Sequence, residues 1–442
     1  MLLIGNGRLI THDSNQPYLP NGCVAITDNL ITAVGPTAHL RKEYPSAAFI
    51  DAKDRIIMPG MINTHMHLYS AFARGMVLKS DPALKFTEIL EKLWWRLDKV
   101  LTLQDIYYSA MVGLIDCIKH GTTTIFDHHA SPGAVEGSLF MLAEATQAIG
   151  VRSCLCYEVS DRDGQGVMKE GIKENTSFIK YANHQSTDLV RGMFGLHASM
   201  TLSDNTLNQC LEANANLKTG FHSHVAEAAA DVEDAIARSG KRVVERLADF
   251  GILNSQSIAA HCVHVNKAEI EMLRQTGVNV IHNPESNMGN AVGCAPVIEM
   301  LEQGVTVGLG TDGYTADMFE SYKVANLLHK HHYGNPSIAW QEPPTMLFKH
   351  NGNIGSKHFS KPLGQFIAGS YADIIIVDYN PPTVLNEENL YGHILFGMSG
   401  KSVVTTIVNG KVVMNERQLV GIDEDEIYAK ARQLSGELWK RF

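Results

Sequence analysis

From about residue 56 the sequence alternates short β-rich apolar runs with longer amphipathic stretches. That alternation restricts the chain to folds in which parallel strands are joined by helices. The apolar runs are RIIMPG, TTTIFDHH, RSCLCYE, VRGMFGLHA, FHSHVAE, IAAHCVH, VNVIHNP and TVGLGTD. Between them lie segments with apolar residues at helical spacing, such as DVEDAIARSGKRVVERLADFG, with Gly251 as its stop. Eight strand–helix repeats in roughly 270 residues fit a (β/α)8 TIM barrel, typically ~250 residues long. A doubly wound open sheet does not usually need eight units.

The ends of the chain read differently. LLIGNGRLIT and CVAITDNLITAVG near the start, and ADIIIVDYN and VVTTIVNGKVVM near the end, are short strands punctuated by Asn-Gly and other glycine turns. The expectation is an α/β protein with two domains. Residues 1–55 together with 366–442 form a small composite β-sandwich, and the barrel of residues 56–365 is inserted between its halves. VNGKVVMNERQLV reads as a hairpin, and DEDEIYAKARQLSGELWKRF as a helix docked on the outside.

Composition narrows the function classes. The formal charge is −10 with no basic run, which argues against nucleic acid or an anionic membrane as partner. No segment reaches the ~18–20 apolar residues of a membrane span, and the start lacks the pattern of a signal peptide. Seven cysteines without C-x-x-C spacing argue against a disulfide framework. They also argue against the zinc signature of deaminases that act on flipped bases. A soluble cytoplasmic protein is expected, with a homodimer as the default assembly.

Three H-x-H pairs occur, at 65/67, 222/224 and 329/331, so the motif alone decides nothing and position must. In a barrel, chemistry gathers at the C-terminal ends of the strands. His65 and His67 follow the first strand, His224 ends the fifth, His261 the sixth and Asp312 the eighth. His65, His67, His224 and Asp312 offer three imidazoles and a carboxylate, a set that suits one Zn²⁺ or Fe²⁺ with a position left for water. No lysine ends the fourth strand to bridge a second ion, so a single divalent metal is expected.

Glu227, three residues beyond His224, is either a proton shuttle beside the ion or a glutamate capping the next helix. His261 is either catalytic or a core histidine satisfied by backbone. His282 is either a substrate contact or a packing residue, and HKHH (329–332) reads as a solvated or rim face. Trp94 and Trp95 are core positions or walls for a flat ring. The segment 69–100 is the candidate lid.

The motifs MPGMINTHMH, FHSHVAEA, AAHCVHV, IHNPESNM, GLGTDG and GSYADIIIVD, in this order, resemble the amidohydrolase superfamily. The resemblance is to its mononuclear aminohydrolase branch of deaminases and chlorohydrolases, and it spans nearly the whole chain. It implies that His65, His67, His224 and Asp312 are the metal ligands and that Asp312 is also the base toward the activated water. It further implies that Glu227 protonates a ring nitrogen, that His261 orients the nucleophile and that His197 contacts substrate. Asp98 stands where relatives acting on S-adenosylhomocysteine carry a ribose-binding glutamate. An arginine for an amino-acid carboxylate is not evident, and Arg162 is the one candidate near the pocket.

The expected activity is metal-dependent deamination of a small purine- or pyrimidine-like heterocycle with release of ammonia. Hydrolytic ring opening of a cyclic amide or oxidised purine, or dehalogenation, would use the same site. A non-catalytic scaffold is the rival of another class.

Overall fold

The computed structural model describes residues 1–442. Its parallel strands are Met61–Met66, Thr122–His129, Arg152–Tyr157, the bent pair Val190–Gly192 and Phe194–Ala198, Phe221–Val225, Ile258–His261, Asn279–His282 and Val307–Leu309. They form one four-stranded and one five-stranded sheet. Isolated parallel bridges, Met66 to Asp312 and Val159 to Leu196, link the two sheets at both seams. Helices separate the strands and cover them, which is why these strands are apolar runs rather than alternating ones.

Seven of the eight expected runs hold these strands. The first does not: Ile56–Pro59 pairs with Leu2–Ile10 and with Ile374–Val377 in the terminal sheet. The parallel series begins one residue after Gly60. Gly60 N donates to Asp373 O (3.0 Å) in the terminal sheet, whereas Met61 N donates to Gly121 O (2.8 Å) beside the second parallel strand. The chain therefore changes sheets at this peptide. Only glycine fits there, because a Cβ would lie 2.2 Å from the Thr123 side chain.

Capping fixes several helices. Thr102 and Asp105 form a capping box at Leu103–Lys119, as do Asn266 and Glu269 at Lys267–Thr276. The stretch read as one helix ending at Gly251 is two, Ala229–Ser239 and Val243–Asp249. Gly240, in the left-handed conformation (φ 70°), stops the first.

The terminal strands, together with Ile56–Pro59, form a continuous nine-stranded sheet. One face closes over a shared core that includes Ile4, Leu9, Val24, Ile57, Ile374 and Ile407. Asn409 and Gly410 (φ 53° and 74°) make the two-residue turn between Val403–Val408 and Lys411–Asn415, as their sequence predicts. Helix Glu424–Arg441 docks outside, and its Trp439 Nε1 donates to Phe72 O at 2.8 Å.

Buried Arg152, on the third parallel strand, ties the two parts together. Its Nε lies 2.9 Å from Asp373 Oδ2, and its guanidinium carbon sits 3.7 Å over the Tyr371 ring. No helix is long and apolar enough to cross a membrane.

Candidate active site

His65 lies in the first parallel strand and His67 just beyond it, so both rings point the same way. His224 lies in the fifth strand position, His261 ends the sixth, and Asp312 follows the eighth by three residues. The structure brings all five together. His67 Nε2 is 3.0 Å from Asp312 Oδ1 and 3.3 Å from His224 Nε2. Two ligands at ~2.1 Å from one ion stand about 3.0–3.4 Å apart for angles of roughly 90–109° between them, so this spacing fits a shared ion.

The surrounding contacts assign the tautomers. His67 Nδ1–H donates to the His128 carbonyl, and His224 Nδ1–H to the His197 carbonyl at 2.9 Å. His65 Nδ1 meets His222 Nε2 at 2.8 Å. Each ring therefore turns Nε2 inward, and the buried Nε2 of His65 has no protein partner. Three inward lone pairs and a carboxylate can hold a divalent ion.

Electrostatics favour the neutral, ligating form of His65 and His224, and pair a charged His67 with Asp312, where an ion would take the proton's place. Burial pushes His65 and His224 well below the usual imidazole range, and neighbouring imidazoles push the same way. Burial also works against charge on His67, but the hydrogen bond to Asp312 and its negative charge outweigh it and push the ring up to about 9. Burial would raise Asp312, yet His67 holds it far below the carboxylate range. Asp312 has a left-handed backbone (φ 56°), fixed by its N–H to His65 O at 3.0 Å and by Gly313 N to its Oδ1 at 2.7 Å. Ser286 Oγ donates to its other oxygen.

Glu227 faces the same space. Burial, and then the charge of Asp312, raise its carboxyl well above the usual range, which keeps it protonated. It does not cap the following helix; Asp231 instead accepts from the backbone of Met200 and Ala226. His261 is no backbone-satisfied core residue. Its Nδ1 donates to Asn287 Oδ1 (2.8 Å), and its Nε2 lies 3.7 Å from both Glu227 Oε2 and Asp312 Oδ2.

These groups open onto a cavity with aromatic walls that include Tyr69, Trp94 and Trp95. His197 lines it, with Nδ1 2.7 Å from Thr201 Oγ1, and burial lowers its pKa to about 4. Three expected substrate contacts are elsewhere. Asp98 and Arg162 are paired with each other, and neither reaches the wall. His282 is buried against His329, with ring centroids 5.0 Å apart, away from the cavity.

His329 itself is buried, contrary to the rim expected for HKHH, because it continues the inward stripe of Tyr322 and Ala325. Glu158 and His128 were not singled out in the sequence. Glu158 lines the cavity with Oε2 3.1 Å from His128 Nδ1. Both stand at strand ends, so the rule that found the ligands would have found them too.

Known proteins resemble the chain along its whole length. A model of the amidohydrolase family matches residues 56–413, and one of a bacterial imidazolonepropionase-like composite domain matches residues 22–47. A 5′-deoxyadenosine deaminase of Methanosarcina mazei is 33% identical, with 100% of this chain and 99% of that protein covered. A 5-methylthioadenosine/S-adenosylhomocysteine deaminase of Pelotomaculum thermopropionicum is 32% identical, with 100% and 99% covered. Among solved structures, an adenosine deaminase from Xanthomonas campestris with bound zinc matches in fold with a TM-score of 0.88. That match has 22% identity and covers 99% of this chain and 98% of the other.

Proposed function

The chain belongs to the amidohydrolase family, and on that premise we propose that it is a metal-dependent aminohydrolase that deaminates a purine-like heterocycle and releases ammonia. The observation that carries this reading is the convergence of three inward imidazole nitrogens and one carboxylate opposite Glu227, whose carboxyl burial pushes well above the usual range. The deaminases among its relatives support it. We further propose one ion, Zn²⁺ or Fe²⁺, held by His65, His67, His224 and Asp312. The two parallel sheets act as one closed (β/α)8 barrel, and the strands of residues 1–55 and 366–442 act as the second domain.

A divalent ion held by these four residues would acidify water toward a pKa of ~7 and so supply a nucleophile at neutral pH. The protein's own groups do the rest. Asp312 takes the proton of the attacking water. His261 Nε2, free of other partners, holds the nucleophile in line with the ring carbon. Glu227 donates its proton to the adjacent ring nitrogen as the carbon becomes tetrahedral; the proton on Asp312 then passes to the exocyclic amine, which leaves as ammonia, and the hydroxyl proton returns to Glu227 as the carbonyl forms. The aromatic walls hold a flat ring, and His197 contacts it from the fourth strand position. Asp98 and Arg162 act indirectly, since the guanidinium carbon lies 5.4 Å over the Trp95 ring and backs that wall.

The test is ammonia release from aminopurines, aminopyrimidines and their nucleosides by protein of measured metal content. Release from one ring class, abolished together with metal binding in His65→Ala, is expected. A metal-loaded protein that opens a ring or displaces a halide, with no ammonia from any compound, refutes deamination.

A further inference from the structure

Two of the three imidazoles that face the ion position are oriented by backbone. His67 Nδ1–H donates to the His128 carbonyl, and His224 Nδ1–H to the His197 carbonyl. A carbonyl oxygen is always an acceptor. His65 differs, because its Nδ1 meets a side-chain nitrogen, Nε2 of His222, at 2.8 Å. His222 is 1% exposed and stands in strand Phe221–Val225, two residues before His224. It belongs neither to the ligand group nor to the cavity wall.

An imidazole nitrogen accepts a hydrogen bond only when it carries no proton. For His65 to offer an ion the lone pair of Nε2, its own proton must sit on Nδ1. Nδ1 is then the donor of the 2.8 Å contact, and His222 Nε2 is the acceptor. With the proton on His222 Nε2 instead, the His65 proton moves to Nε2, and the inward nitrogen cannot ligate. Only one of the two arrangements admits an ion.

The surroundings hold His222 where this contact needs it. Residues two apart on a strand face the same side, so His222 lies beneath His224, toward the start of the strand. Its ring packs against His128, with centroids 4.7 Å apart. His128 Nε2–H in turn donates to the carbonyls of His222 and Leu196, at 3.1 Å each, and so fixes the backbone that carries His222. On the other side, the His65 carbonyl accepts from the Asp312 N–H at 3.0 Å. One imidazole from the fifth strand position therefore orients a ligand of the first, whose backbone places the carboxylate.

We propose that His222 is a positioning residue for the ion. It holds His65 in the tautomer and ring orientation that turn Nε2 inward, and it touches neither ion nor substrate. The inference rests on the ion reading above and deepens it at one ligand. Without the acceptor, the buried Nδ1–H of His65 loses its partner, and the ring is free to take the tautomer that cannot ligate. Loss of such a partner behind a ligating imidazole typically weakens metal binding by about 10–100-fold.

The test is Zn²⁺ affinity of metal-free protein, measured by competition with a chromophoric chelator, so that no turnover is needed. Glutamine carries an amide oxygen to the place of His222 Nε2, asparagine carries one only as far as Nδ1, and leucine carries none. His222→Leu and His222→Asn are expected to weaken Zn²⁺ binding by about 10–100-fold, and His222→Gln to stay within about threefold of the parent. If His222→Leu does not fold, the Asn and Gln variants carry the comparison, because both bury the same amide. The visible spectrum of Co²⁺-loaded protein is expected to change in the Asn variant and to be restored in the Gln variant. Parent-like affinity in His222→Leu, or equal affinity of the Asn and Gln variants, overturns the role of His222 and leaves the ion reading standing. A parent protein that takes up no divalent ion overturns that reading and this inference with it.

Discussion

Replacing Glu227 by glutamine keeps the shape of the side chain and removes only its acidic proton. The residue is 9% exposed and its Oε2 is 3.7 Å from the nearest imidazole nitrogen, so the amide neither opens a cavity nor crowds a neighbour. It also no longer faces the charge of Asp312 as a potential second anion. The fold, the ligand group and the substrate cavity therefore stay as they are. What disappears is proton transfer to the ring nitrogen, worth ~10²–10⁴-fold in kcat, or roughly 3–5 kcal/mol of barrier.

The pH dependence has a definite sign. Glu227 works protonated and its pKa is raised, so its contribution is complete below that pKa and fades as pH climbs through it. Glu227→Gln should lose this descending limb along with the rate. The assay is steady-state ammonia release across pH, beside metal content and thermal unfolding of the same samples. A kcat within a few-fold of the parent refutes the assignment of Glu227. So does a loss of kcat that tracks loss of metal, since that would make Glu227 a support of the ion rather than the acid.

Other expectations concern stability. Arg152→Met leaves the Asp373 carboxylate buried without its guanidinium, which should cost about 3–5 kcal/mol. Spread over 442 residues of unfolding entropy, that lowers Tm by about 3–5 °C, and an unchanged Tm would refute the tie between sheets. Glu285 is pushed up to about 7 by burial, against a hydrogen bond from Ser321. The folded state therefore keeps a proton that the unfolded chain sheds, and stability falls as pH rises from about 4.5 to 7. Urea unfolding of Glu285→Gln should lack this fall, about 3 kcal/mol, and identical pH slopes would contradict it.

The parallel repeats and the cluster of His65, His67, His224, His261 and Asp312 were readable because each rests on local pattern: apolar β-rich runs, and polar residues at their C-terminal ends. What depends on partner choice was not. RIIMPG and the following MINTHM are both apolar, and the partners that separate them, Asp373 and Gly121, lie far along the chain. Asp98 and Arg162 each look like a ligand-binding residue alone, but together they are an ion pair between residues 64 positions apart. His329 sits among other histidines in a polar stretch, and only the helix phase shared with Tyr322 and Ala325 turns it inward. Glu158, one residue past its strand, was open to the same strand-end rule but belongs to no recognised motif.

The change of sheets at Gly60 also orders events in time. Strand Ile56–Pro59, which leads directly into His65 and His67, pairs with Ile374–Val377. Asp312, too, leaves the ribosome long after the first two histidines. At ~5–20 residues per second, about 15–60 s of synthesis pass between residue 67 and residue 377. During that interval His65 and His67 lie on a strand that can pair with Thr122–His129 but lacks the terminal sheet beneath it. Completion of the cluster with His224 and Asp312 is therefore a late step of biogenesis, followed by the emergence of the C-terminal strands.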